Sequence, residues 1–86
     1  MSYTYILQSE SGKFYIGYTK NLEARVAAHQ ADEGGWTAGK GPWRLRYYES
    51  YEEDSDARKR EIALKRKKRS AFYEWLINNG PGSSVG

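Results

Sequence analysis

A chain of 86 residues with no cysteine and one histidine, His29, has to be held together by a single apolar core. No disulfide can staple it, and neither a cysteine-based centre nor an all-histidine zinc site can be built. The hydrophobic fraction is 38%, but 15% of residues are aromatic, and each buried aromatic removes on the order of 150–250 Å² from water. A compact α+β unit is within reach of that supply; a deep cavity for a large organic cofactor is not. No apolar run approaches the roughly 20 residues of a membrane span. The opening residues, Met1–Gln8, lack the basic start and apolar stretch of a secretory signal. The expectation is a cytoplasmic protein with no membrane contact.

Alternating apolar character over Tyr3–Gln8 predicts a strand, with Tyr3, Tyr5 and Leu7 on one face. Ser9-Glu10-Ser11-Gly12 supplies turn residues, and Lys13–Tyr18 resumes strand character, giving a β-hairpin. Asn21 can cap a helix through about Gln30, and Asp32–Pro42, with four glycines and no apolar period, reads as a loop. Trp43–Ser50 is rich in β-favouring aromatics. Ser55 can cap a helix to about Lys68, and Ser70 a last one in which Phe72, Trp75, Leu76 and Asn79 share a stripe. Gly80-Pro81 ends that helix. The predicted order is β-β-α-β-α-α: a three-stranded antiparallel sheet flanked by helices, forming one domain over residues 1–79, with 80–86 a disordered tail.

The charges are segregated. The segment Glu49–Asp56 holds five acids (Glu49, Glu52, Glu53, Asp54, Asp56) and no base, whereas Arg58–Arg69 holds eight bases and one acid, Glu61. The net charge of +3 hides this basic block, which is either a solvated helix face or a surface for a polyanion. Within it, Ala57, Glu61 and Leu64 fall at i, i+4 and i+7, so Glu61 shares a stripe with apolar residues and points toward the sheet. A carboxylate so placed must be paired, with Arg58, Lys65 or Arg25, or bound to metal. Arg25 and His29 lie four apart on the first helix and project together. They are either a phosphate clamp or an exposed arginine beside a satisfied histidine. Tyr5 and Tyr15 on the hairpin strands read first as sheet packing. Yet Tyr15-Ile16-Gly17 ends in a glycine that lets a neighbour approach the backbone closely. A phenol titrates near 10, so a tyrosine can act as a general base only if a cation or metal helps remove its proton.

Tyr15-Ile16-Gly17 resembles the YIG half of the GIY-YIG signature, with Tyr3-Thr4-Tyr5 in place of the first half and Tyr5 matching the family's tyrosine. Arg25 in Asn21-Leu22-Glu23-Ala24-Arg25 resembles the family's helix arginine, His29 follows as in several members, and Glu61 is similar to its metal-binding glutamate. The likeness runs from about Ser2 to Ile77. It is closest to short, stand-alone bacterial members of the UPF0213 kind, with Lys40-Gly41-Pro42-Trp43 before the third strand. Gly-Ile of the first motif is Tyr3-Thr4 here, and the expectation is a domain with no homing, repair or restriction domain attached. The resemblance implies a metal-dependent endonuclease on nucleic acid, most simply structure-selective on DNA. It makes Tyr5, Tyr15, Arg25, His29 and Glu61 catalytic, with Glu61 holding one Mg²⁺ or Mn²⁺.

Lys20, Trp36, Lys40, Arg58 and Lys65 would hold the substrate, Trp36 either stacking on an unpaired base or folding onto its own core. Two other functions fit the same residues. One is a nucleic-acid-binding module of this fold without turnover. The other is an interaction domain whose acidic segment, Glu49–Asp56, faces a protein partner.

Overall fold

The computed structural model describes residues 1–30 and 42–85, with the side chain of Gln30 excepted. The elements are β1 (Ser2–Ser9), β2 (Phe14–Thr19), α1 (Leu22–Gln30), β3 (Trp43–Tyr51), α2 (Asp54–Lys67), α3 (Ser70–Asn79) and β4 (Ser83–Ser84). The expected loop falls largely outside the described residues. The sheet is antiparallel throughout, in the order β2-β1-β3-β4.

The expectation of three strands is therefore corrected to four. Ser83 and Ser84 pair with Tyr48 and Tyr47, and the Val85 N–H donates to the Arg46 carbonyl at 2.9 Å. This short strand comes from the stretch expected to be a disordered tail. Its polar residues carry no strand signal, because an edge ladder needs only backbone groups.

Period-two alternation sorts the sheet's two faces. Tyr5, Leu7 and Trp43 form one cluster with Leu22 and Val26 of α1, while Ile6, Ile16 and Tyr47 pack with Leu64, Tyr73, Leu76 and Ile77 of α2 and α3. The sheet is thus the middle layer. Between β1 and β2 the hairpin closes with Ser9 N–H donating to the Lys13 carbonyl at 2.8 Å, and Gly12 sits at φ +94°, a conformation open to glycine. A register shift after Ile6 leaves Arg46 opposite no β1 residue, and that guanidinium bonds Gln8 instead.

Asn21 caps α1 as expected, its Oδ1 accepting from the Ala24 N–H at 3.1 Å. The other two predicted caps are displaced. Glu53 holds the cap position of α2 and Arg69 that of α3, neither with a side-chain cap bond, so Ser55 and Ser70 lie inside their helices. Asp54 and Asp56 in the first turn of α2, and Lys65, Arg66 and Lys67 in its last, complement the helix dipole. The apolar stripe of α3 is also rotated from expectation. Tyr73, Leu76 and Ile77 are buried, whereas Trp75 is 56% exposed. Tyr73 decides the rotation: its ring packs on Phe14 and its hydroxyl donates to the Leu64 carbonyl at 2.7 Å, tying α3 to α2. Gly80 ends α3 in extended backbone, its N–H bonded to the Leu76 carbonyl at 2.7 Å.

Candidate active site

Tyr5 lies on a central strand, is fully buried and pairs across the ladder with Gly17. Its ring fills the space where any other residue at 17 would place a Cβ. The close approach that a strand glycine suggested is thus made by this phenol. Its hydroxyl shares a hydrogen bond with His29 Nε2 at 3.1 Å. Tyr15 stands two residues before Gly17, on the same sheet face. Its ring centroid is 6.3 Å from that of Tyr5, 5.1 Å from that of His29 and 6.2 Å from that of Trp43.

Electrostatics extend this aromatic group to two more side chains. Burial pushes the Tyr5 phenol well above the usual tyrosine range; Tyr15 and the charge of Glu61 add to the effect, and the charge of Arg25 opposes it. Burial also lowers the His29 imidazole, and Arg25 lowers it further. Tyr5 and His29 consequently meet as two neutral groups near pH 7, and Tyr5 is a hydrogen-bonding group rather than a base. Arg25 and Glu61 come from helices on opposite faces of the sheet, yet both act on the one phenol. The other four residues singled out by the sequence thus touch the Tyr5 phenol or act on it by charge.

Glu61 sits on α2 between buried Ala57 and Leu64, its own side chain 15% exposed. Lys65 Nζ lies 3.0 Å from one of its oxygens and Arg58 Nε 3.7 Å from the other. Two of the three ion-pair partners expected from the sequence are present; Arg25 enters through its charge on Tyr5. Both partners are more than half exposed, and ion pairs of that kind are weak enough to exchange. Among the described residues no three His, Asp or Glu side chains cluster as a metal cage. A lone, partly sheltered carboxylate fits Mg²⁺, which keeps most of its waters.

The residues expected to hold substrate separate. Lys20 is exposed and paired with Asp54 at 2.9 Å. Arg58 lies 5.5 Å from the centroid of the Tyr18 ring on β2, and Lys65 is engaged with Glu61. Trp36 and Lys40 lie outside the described residues.

The acidic segment does not present one surface. Glu49 is buried and accepts from Arg60 at 2.8 and 3.1 Å and from the Tyr47 and Tyr51 hydroxyls, each at 2.6 Å. Burial opposes ionisation of Glu49, but these donors outweigh it and hold the carboxyl below its ordinary 4.5. Sequence reasoning missed this cluster. The alternation of Tyr47, Glu49 and Tyr51 on one strand face was the available signal.

A family model described as the GIY-YIG catalytic domain matches residues 1–75. A UPF0213 protein of Halobacterium salinarum is 37% identical over 71 residues, covering 81% of this chain and 92% of its own. Another, from Streptococcus pneumoniae serotype 4, is 35% identical over 79 residues, covering 91% of this chain and 80% of its own. The solution NMR structure of the UPF0213 protein BH0048 from Bacillus halodurans matches at a TM-score of 0.58 and 29% identity, over 94% of this chain and 88% of that one.

Proposed function

Since the chain belongs to the GIY-YIG nuclease superfamily, among relatives named UPF0213 proteins, we propose that it is a metal-dependent endonuclease that hydrolyses phosphodiester bonds in structured DNA. The observation that carries this reading is the gathering of Tyr15, His29, Arg25 and Glu61 about the Tyr5 phenol. Glu61 would hold one Mg²⁺ or Mn²⁺, which when bound polarises a phosphate and stabilises a leaving oxygen.

The chain's own groups divide the remaining work. Arg25, an exposed residue close enough to act on both Tyr5 and His29, neutralises charge growing on the phosphoryl oxygens. That role is typically worth a few kcal/mol. With Tyr5 held protonated, Tyr15 is the phenol left to take the proton of the attacking water. Tyr5 positions that water, and His29 orients Tyr5 through the Nε2 hydrogen bond. Lys20, Arg58 and the other exposed cations of the basic block contact phosphates, which position a substrate without reading its sequence.

A second reading has its own support. Both oxygens of Glu61 face cations, an arrangement that a binding module without turnover could keep indefinitely.

One experiment separates the two. Branched, single-stranded and duplex DNAs are incubated with Mg²⁺ or Mn²⁺ and the wild-type, Glu61→Ala or Arg25→Ala protein. The nuclease reading requires metal-stimulated nicking by the wild type and a loss of about a hundredfold or more in each variant, with unchanged thermal unfolding. Salt-sensitive binding with no nicking of any substrate would establish the binding module instead.

A further inference from the structure

Where α2 passes into α3, Arg66, Lys67, Arg69, Ala71, Phe72 and Trp75 line a surface hollow of about 580 Å³. Its floor is aromatic. The rings of Phe72 and Trp75 lie 25° from parallel with centroids 6.4 Å apart. Phe72 is anchored at the edge of the core, and Trp75 is left more than half exposed. Its rim is cationic: Lys67 Nζ stands 5.2 Å from the Phe72 centroid, and among the described residues Arg66 and Arg69 make no ion pair. The first turn of α3 carries no acid and its cap no side-chain bond, so no side chain offsets the positive end of that helix dipole.

Part of this has a purely structural account, because Arg66 and Lys67 sit at the C-terminus of α2, where cations belong. Helix electrostatics explain neither Arg69, at the opposite pole of the next helix, nor an indole held in water beside a second ring. An apolar partner helix would leave three cations to be desolvated. A polyanion with flat faces satisfies both halves of the site at once.

We propose that this hollow is a docking site for an unpaired nucleic-acid strand: a base stacks on Trp75, and its phosphates lie against Arg66, Lys67 and Arg69. It rests on the nuclease reading only in taking the substrate to be nucleic acid. Lys67 follows Glu61 by six residues on α2, about 9 Å along the helix axis, so one strand can lie on Trp75 while its adjoining backbone runs toward Glu61. The substrate class this favours is a duplex bearing a single-stranded flap or branch.

The test is binding in EDTA, which removes cleavage from the readout. Fluorescein-labelled oligothymidine and a blunt duplex are titrated by anisotropy against the wild type, Trp75→Leu, Trp75→Phe and Arg66→Ala, with thermal unfolding checked for each. Trp75→Leu is expected to weaken oligothymidine binding roughly fivefold or more and to leave the duplex unaffected, while Trp75→Phe restores most of the loss. Arg66→Ala is expected to weaken both probes and to lower the salt dependence. Unchanged oligothymidine affinity in Trp75→Leu overturns the proposal, as does an equal loss on both probes. So does a shift from dimer to monomer with DNA binding intact, which would make the occupant a second copy of the chain. Stacking that persists in a protein unable to nick DNA with Mg²⁺ leaves this site standing and removes the nuclease reading; nicking without stacking does the reverse.

Discussion

The phenol of Tyr5 occupies the volume that a side chain at Gly17 would need: a Cβ at position 17 would lie 2.4 Å from both the Cζ and the hydroxyl oxygen of Tyr5. The glycine of Tyr15-Ile16-Gly17 is therefore required by contact, not by backbone conformation. It lets the central-strand tyrosine reach across β2, and the whole candidate site is arranged around where that hydroxyl ends up.

Gly17→Ala has no cheap escape, since the Tyr5 ring is rigid and enclosed. The substitution is expected to lower stability by about 1–3 kcal/mol, the usual cost of overpacking. It should also pull the hydroxyl away from His29 Nε2. Urea unfolding and nuclease assays on Gly17→Ala and on the double variant Gly17→Ala/Tyr5→Phe would check this. The double variant recovers little, because the ring itself still collides. An alanine variant as stable as the wild type would refute the packing.

His29 makes the fold sensitive to mild acid. Its pKa lies below 6.5 in the folded protein, through burial and then Arg25. As pH falls below 6.5, the unfolded chain therefore binds a proton that the folded chain does not, and stability declines. The expected result is a drop in the urea midpoint as pH falls below 6.5 that is flattened in His29→Gln. Any activity of the site should persist through that decline and fall only at lower pH, once the imidazole of the folded protein itself is charged and can only donate to Tyr5.

Glu49 acts lower on the pH scale. Its pKa is depressed from 4.5, so its contribution is complete above that value and lost as pH falls through the folded-state value. Tyr47 and Tyr51 are both pushed up to about 12, by burial first and then by their bonds to Glu49. Their protonated forms favour the fold until pH rises past 10 toward that value. Glu49→Gln leaves Arg60 without its counter-charge and is expected to cost about 2–3 kcal/mol at neutral pH. The difference from wild type should shrink in acid, where both proteins carry an uncharged group at 49. A constant difference down to strongly acidic pH would mean that packing, not charge, accounts for the loss.

How far the site could be read in advance depends on how local its signals are. Tyr5, Tyr15, Arg25, His29 and Glu61 were singled out as a candidate set by the resemblance, which preserves their order and their elements. That His29 bonds Tyr5, or that Glu61 is paired with Lys65 and Arg58, depends on how the elements are laid against one another. Arg60 illustrates the limit. In sequence it is one of eight bases between Arg58 and Arg69, and nothing local separates it from its neighbours. Only the placement of α2 on the face carrying Tyr47 and Glu49 sets it within 2.8 Å of a buried carboxylate.

What the amino-acid sequence determined by itself was the hairpin, the Asn21 cap, the apolar stripe of Ala57 and Leu64, and the β-β-α-β-α-α run of elements. Each is a matter of residue spacing and turn chemistry within a few positions. The fourth strand, the rotation of α3 toward Tyr73, the Glu49–Arg60 pair and the gathering about Tyr5 were decided by tertiary structure. Periodicity tells which side of an element is apolar. It does not tell which distant element will cover that side, since that choice rests on the shapes of two surfaces meeting.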